Sequence, residues 1–502
     1  MRLGLLRLLA GISAGVVACA VTSGGLTRGE EGGASPAPTK PLRMTAGLTA
    51  SERPIYGGTL RMELGELAEA RGPGFISPLD ESAMVLMQFV YETLVRIDAR
   101  GAAEPLLAES WERDASMRRW KFHLRSGVKF QDGTPLAPQS AVDALRSPDE
   151  DWRVTPTSDG FQIETPSASP NLPTTLANFR YSLIRVARGE EPRGTGPFKI
   201  ESWEARKRVV LSANMDYWGG RPFLDTLNVQ LERAARARII DLEVGRADLI
   251  ELPAEMARRA GDEKIHLETT PPMELLAVVF MPGRAAADDA RVREAVSRSI
   301  DRGAIVNFVL QKQGEAADGL LPQWISGTEF LFSSAADAAA ARALVKEIKP
   351  PPSLVLGYDS DDALEQSVAE RIAVNAKDAG IAVLASAIPV MSAGDRPVTT
   401  KFDARIVRVS LTSPLPRPAL AGLLGGFAAV LGKEDSGLPE TAGAAEIYAR
   451  EKAVIETYRV VPIANLPRVY GLGPRVRNWS MPPGAAMNGL PLADVWLERE
   501  AQ

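Results

Sequence analysis

PLLAESWERDASMRRWKFHLRSGVKFQDGTPLAPQSAVDAL, Pro105 to Leu145, is the stretch on which the reading of this chain turns. Trp120, Phe122 and Leu124 alternate with Lys121, His123 and Arg125, the period of a strand with one buried face. Ser126-Gly127 supplies a turn, and Val128 to Phe130 is expected to return beside that strand. Asp132-Gly133-Thr134-Pro135 is tight-turn chemistry, and Ser140 is expected to cap the short helix that follows.

Outward from this stretch, helices and strands alternate. GGTLRMEL from Gly57 reads as a turn and then a strand with Leu60, Met62 and Leu64 on one face. Met84 to Val95 carries Leu86, Phe89, Val90 and Leu94 at helical spacing. Leu364, Val368 and Ile372 fall at i, i+4 and i+8, with Asp361 and Asp362 at the helix start and Lys377 in its last turn, where the dipole favours each. Gly380 suits the left-handed position after a helix, and Ile381 to Leu384 then reads as a strand. Arg238 to Val244, Gly245 and Leu249 to Leu252 repeat that design. Helix-then-strand units build α/β domains, and 502 residues exceed one compact core.

The chain opens MRLGLLRLLAGISAGVVACA, with Arg2 and Arg7 before an apolar run from Leu8 to Ala18. That run has signal-peptide length and falls short of the ~20 residues a membrane span needs. Val16-Val17-Ala18-Cys19 resembles a bacterial lipobox, whose cysteine thiol takes a diacylglyceryl group; cleavage after Ala20 is the competing reading. Residues 1–18 are therefore expected to be a signal peptide and 19–55, rich in Gly, Ser, Thr, Ala and Pro, a tether reaching roughly 30–36 Å. Leu420 to Leu431 is apolar but short, and is expected to be a buried helix.

Composition narrows the chemistry. A net charge of -5 with no dominant basic patch makes nucleic acid a poor partner. Cys19 is the lone cysteine, so the body can form neither a disulfide nor a cysteine metal site. His123 and His266 are the only histidines, which argues against transition-metal and histidine acid/base catalysis. No HExxH, CxxC or GxSxG motif occurs. Gly426 to Glu434 fails as a phosphate loop, with one residue too many between its glycines and Glu434 where a hydroxyl is needed. Asp359, Asp361 and Asp362 lack calcium-loop spacing and read as a solvated helix start. No enzyme and no cofactor is expected.

The run from Ala108-Glu109-Ser110-Trp111 through WKFHLRSGVKFQDGTPL resembles the signature of the family 5 extracellular solute-binding proteins, the dipeptide- and oligopeptide-binding components of ATP-driven importers. Gly194 to Asp225, Arg238 to Glu251, Asp289 to Val306 and the block from Ile447 to Trp479 resemble further segments of that family, in its order. The resemblance implies an α/β fold with mixed sheets, two lobes hinged in the manner of a Venus flytrap. Transferred here, lobe I is 56–270, with a reduced subdomain at about 76–175; lobe II is 271–463; and 464–502 returns to complete lobe I.

The resemblance also implies a ligand in the interlobe cleft, a periplasmic or cell-surface location on a lipid anchor, a monomer, and an importer permease with its ATPase subunits as partners. Two segments are expected to line the cleft: Phe75-Ile76-Ser77-Pro78, and Arg405 to Pro416 with Arg408, Ser410 and Thr412. Peptide-binding relatives place an aspartate near the position of Thr412, and this chain has no acid between Asp403 and Glu434. A buried ammonium needs a partner, so recognition of a free peptide N-terminus is in question. A blocked or cyclic peptide, an oligosaccharide-like ligand, and a sensory or degenerate lipoprotein on the same fold are the alternatives. Arg405 and Arg408 could pair a ligand carboxylate bidentately, against ordinary surface pairing. Trp324 could be a cleft aromatic, against rim or core packing. Nickel binding, known in the resembled family, is not supported by the histidine count.

Overall fold

The computed structural model describes residues 53–65, 85–98, 101–146, 151–186, 192–204, 206–327, 332, 335–388, 402–432, 437–439, 442–481, 490 and 492–499. The expected leader, most of the tether with Cys19, and Ile76 and Ser77 lie outside the described residues.

The frame is one mixed sheet of 11 strands. In chain order these are β1 (Thr59–Glu63), β2 (Phe198–Glu204), β3 (Arg208–Ala213), β4 (Thr226–Gln230), β5 (Leu249–Leu252), β6 (His266–Phe280), β7 (Glu315–Ala316), β8 (Ser353–Asp359), β9 (Ala382–Ile388), β10 (Ala404–Ser410) and β11 (Val460–Leu472). Across the sheet the order is β9-β8-β10-β6-β11-β5-β1-β4-β3-β2, with β7 added onto β11. Strands β1, β4 and β5 run parallel in one half, and β8, β9 and β10 in the other. Between them lie the antiparallel pair β6 and β11, of 15 and 13 residues, the strands on which the chain passes from one half to the other and back.

Each half buries its own core. Leu60, Met62 and Leu64 of β1 pack with Phe198, Leu211 and Leu227 in the first. In the second, Leu276 and Val278 of β6 face Leu364, Val368 and Ile372, while Leu275 and Ala277 face Leu420, Leu423 and Phe427 on the opposite side. Alternate residues of β6 thus feed two layers, as a strand buried on both faces requires.

The helices follow the sequence pattern closely. Helix α1 (Ala235–Glu243) ends before Gly245 at φ +69°. Helix α2 (Ala363–Asp378) starts at Asp362, whose carboxylate accepts from Glu365 N at 2.9 Å, and stops before Gly380 at φ +88°. Helix α3 (Pro416–Leu431) is the buried apolar helix expected from Leu420, and α4 (Ala444–Ile455) precedes β11.

The opening signature forms a separate four-stranded sheet, ordered 108–113, 119–124, 160–164, 153–156, closed by a core that includes Phe122 stacked on Phe161 at 5.2 Å. Three expectations fail around it. Val128 to Phe130 does not return along 119–124; it folds on the next turn, with Leu136 N donating to Val128 O and Phe130 N to Thr134 O. Residues 160–164 take the strand edge instead. Ser140 lies inside the helix Pro138–Leu145, which starts at Ala137 with Pro138 in the first turn, where its missing N–H costs nothing. The helix expected over Met84 to Val95 ends early, and Val95–Ile97 is a strand. The carbonyls of Phe89, Val90 and Glu92 are claimed by Phe198 N, Gly196 N and Leu183 N, so tertiary partners outbid helical spacing.

The signature residues themselves serve closure. The Trp120 indole donates to Ser169 O at 3.1 Å, the Arg125 guanidinium lies over the Trp218 ring, and Gln131 Nε2 reaches Val90 O and Phe198 O. Beneath them the buried Glu92 carboxylate accepts from Thr195, Tyr217 and Trp218.

Candidate functional site

Pairing registers locate the site. Leu252, the last residue of β5, lies opposite Val469, so β5 ends toward the middle of β11. Ser410, the last residue of β10, lies opposite Glu274 in the middle of β6. The carboxyl ends of the parallel strands in both halves therefore converge on the centre of the two crossing strands, the place where open α/β sheets bind ligands.

The crossing strands are irregular there. Register shifts fall between Thr269 and Pro272 and between Pro272 and Glu274, with Pro467 opposite Pro272. Prolines lack the N–H a central strand must donate. Thr270 partly compensates: its hydroxyl donates to Pro271 O at 2.7 Å and accepts from Arg468 N at 2.9 Å.

Charged groups from four elements meet at this centre. One arm of Arg408 reaches Glu274 Oε2 at 2.6 Å and another reaches Asp362 Oδ2 at 2.9 Å. Asp362 thus serves two donors, the Arg408 arm and its own helix N-terminus. From the first half, just past β5, Glu255 faces the same group; its Oε2 is buried with no hydrogen-bond partner among the described residues. Burial raises the Glu255 carboxyl above its ordinary range, and the Asp362 and Glu274 charges add to that while Arg408 opposes it. Glu365, behind them, accepts from Asp359 N at 2.8 Å and is pushed up to about 7, chiefly by burial. Glu274 and Asp362 share the Arg408 guanidinium, and Glu255 stands within reach of its charge without a hydrogen bond to it among the described residues.

The residues expected to line the cleft fall as follows. Ser410 is buried opposite Glu274. Thr412 is half-buried with its hydroxyl against α3, where a Cβ at Gly422 would come within 2.4 Å of Oγ1. Trp324, on the short helix Gln323–Ser326, is half-buried and its indole N–H donates to Pro272 O at 2.8 Å. Arg408 is held by two carboxylates as described. Glu255 and Glu274 escape a reading by motif, because they join Asp362 and Arg408 only through strand register. The signal that could have found the centre is Pro271-Pro272 inside a strand of otherwise β-forming residues.

Elsewhere at the end of β1, Glu63 is 4% exposed and its Oε2 has no partner among the described residues. Arg233 pairs with the neighbouring Asp241 and stands 3.9 Å from Glu63 Oε1. Burial, then the Asp241 charge, lifts Glu63 to about 7. A surface hollow of about 670 Å³ opens at the far ends of β8 and β9, lined by Arg342, Lys346, Lys349 and Lys377. Lys346 and Lys377 occupy the last turns of their helices, where cations answer exposed carbonyls, so that hollow is explained by helix ends. Both histidines pair locally, His123 with Asp159 and His266 with Glu268. Among the described residues no helix is long and apolar enough to cross a membrane.

The family model for bacterial extracellular solute-binding proteins, family 5, matches residues 102–429. This chain belongs to that family. Its sequence is 23% identical over 397 residues to a probable D,D-dipeptide-binding periplasmic protein of Escherichia coli, covering 71% of this chain and 76% of that one. It is 24% identical over 342 residues to the nickel-binding periplasmic protein of Escherichia coli, covering 59% of this chain and 65% of the relative's length. Among solved structures, the murein tripeptide binding protein of Escherichia coli superposes with a TM-score of 0.74 at 19% identity, covering 90% of this chain and all of that one. The mixed-sheet, two-lobed fold implied by the signature is thus the fold of this family 5 member. Its relatives are named as binding proteins, for solutes as different as a tripeptide and nickel.

Proposed function

We propose that this chain is an extracytoplasmic receptor that closes on a peptide or peptide-like solute at the convergence of its strand ends and delivers it to an importer permease driven by ATPase subunits. Cys19 would carry the lipid anchor, and the receptor would act as a monomer. The observation that carries the peptide reading is Glu255. The segment of Arg408, Ser410 and Thr412 lacks an acid, yet Glu255 brings a carboxylate oxygen unpartnered among the described residues to the same centre from the other half. A solute ammonium placed there would satisfy that oxygen and neutralise the Glu255 carboxylate, the compensation a buried charge requires. Ile76, Ser77, Ser410 and Thr412 would complete the walls of the cleft.

The test is calorimetric titration of the mature protein with small peptides, free and N-acetylated, beside the variant Glu255→Gln. Free peptides should bind and acetylation should abolish most of the affinity. Glu255→Gln should cost on the order of 30-fold or more for the free peptide, as loss of a buried charge partner does, and little for the blocked one. Equal binding of both peptides would remove Glu255 from this role. Absence of binding across a broad peptide set would remove the peptide reading.

A further inference from the structure

Arg408 and Trp324 attach to the same short piece of β6, from opposite layers. Trp324 belongs to the layer of Leu275 and Leu420, and its indole holds Pro272 O at 2.8 Å. Arg408 holds the Glu274 carboxylate at 2.6 Å and ties it to Asp362 at the start of α2, in the other layer. Between these two attachments, Leu411 N donates to Met273 O at 2.8 Å. Three successive residues, 272 to 274, are thus fastened to the second half. On the other side of Pro271 the fastening changes: Thr270 is bound through its hydroxyl to Arg468 of β11. Pro271 and Pro272 offer no N–H, and Pro467 opposite offers none either.

We propose that Trp324 and Arg408 are positioning residues that confine the hinge: they clamp residues 272–274 to the second half, so that the rotation opening the cleft is taken up at Thr270-Pro271 and at Pro467-Arg468. Few main-chain bonds have to break at that point. Its place would be the division expected from the sequence between residues 270 and 271. Without the clamps the soft stretch lengthens into Met273 and Glu274, and the halves lose their fixed arc. The inference rests on the reading of the chain as a receptor that closes by hinge motion, but its test needs no ligand.

The experiment uses the mature full chain in a Cys19→Ser background with no peptide added. Two readouts are taken on Trp324→Phe, Arg408→Met and the conservative Arg408→Lys. Hydrogen exchange reads the Leu411 amide against amides of 266–269. Spin labels at Ile240→Cys and Val374→Cys, both exposed positions on opposite halves, read the interhalf distance distribution. Trp324→Phe and Arg408→Met should each speed exchange at Leu411 by about tenfold or more, the loss of one strong hydrogen bond, while 266–269 stays unchanged. Both should broaden the label distribution, and Arg408→Lys should restore much of its width. A distribution as narrow as the wild type in both variants would overturn the proposal, as would faster exchange spread evenly over the two halves. Peptide binding can fail in the separate titration without altering either outcome.

Discussion

Replacing Glu63 by Gln should stabilise this protein in alkaline solution and leave it unchanged in acid. Glu63 is 4% exposed and its carboxyl is lifted from 4.5 to about 7, first by burial and then by Asp241. At ~1.36 kcal/mol per pH unit, that rise corresponds to about 3 kcal/mol. The sign follows from proton binding. Between the unfolded value of 4.5 and the folded value of about 7, the folded chain holds more protons than the unfolded one, so stability falls as pH rises through that window. Above it, the folded state carries the whole penalty of a buried carboxylate beside Asp241. Glutamine has the same shape and no charge, and its amide can donate to Asp241. Urea unfolding of the mature protein and the variant at about pH 8 should show Glu63→Gln more stable by about 3 kcal/mol, and the gap should close toward pH 4.5. A difference of the same size at both pH values would refute the reasoning. So would a variant less stable than the parent at pH 8, which would mean that Arg233 already neutralises Glu63 in full.

Two further substitutions probe the packing that holds the site in place. Phe122→Ala empties a fully buried position stacked on Phe161, and chemical denaturation should register a loss of about 3–5 kcal/mol for the signature sheet. Glu451→Ala removes the buried carboxylate oxygen that accepts from both Leu320 N and Leu321 N, at 2.6 and 3.0 Å, on the approach to Trp324. The two orphaned donors should cost on the order of 2–5 kcal/mol, with faster amide exchange concentrated at those two residues.

The fold was legible because its elements obey local periods. Leu60-Met62-Leu64, Leu364-Val368-Ile372 and the glycines at 245 and 380 state their roles within a few residues. Failures came where a distant segment decided the outcome. The helix pattern from Met84 is cut short by Gly196 and Phe198, and the edge beside 119–124 is won by 160–164. The site was legible only in part for the same reason. Arg408 could be singled out from its strand, but its partners Glu274 and Asp362 sit 134 and 46 positions away in the chain. Glu255 stands in the one-turn 3-10 helix Ala254–Met256 after β5, and register alone brings it to the centre. Side chains brought together from distant elements leave no spacing rule in one dimension.

Among the described residues two strands, β6 and β11, carry the main chain from one half to the other, and they lie side by side in a single sheet. A pair of adjacent straps bends readily across its width and resists wringing about its length. On the hinge reading proposed above, the halves would swing like a door on its leaf and not roll like a ball in a socket. Each closing would then bring the same two rims together in the same alignment, so a receptor of this build would select its guest by where charges land as well as by size.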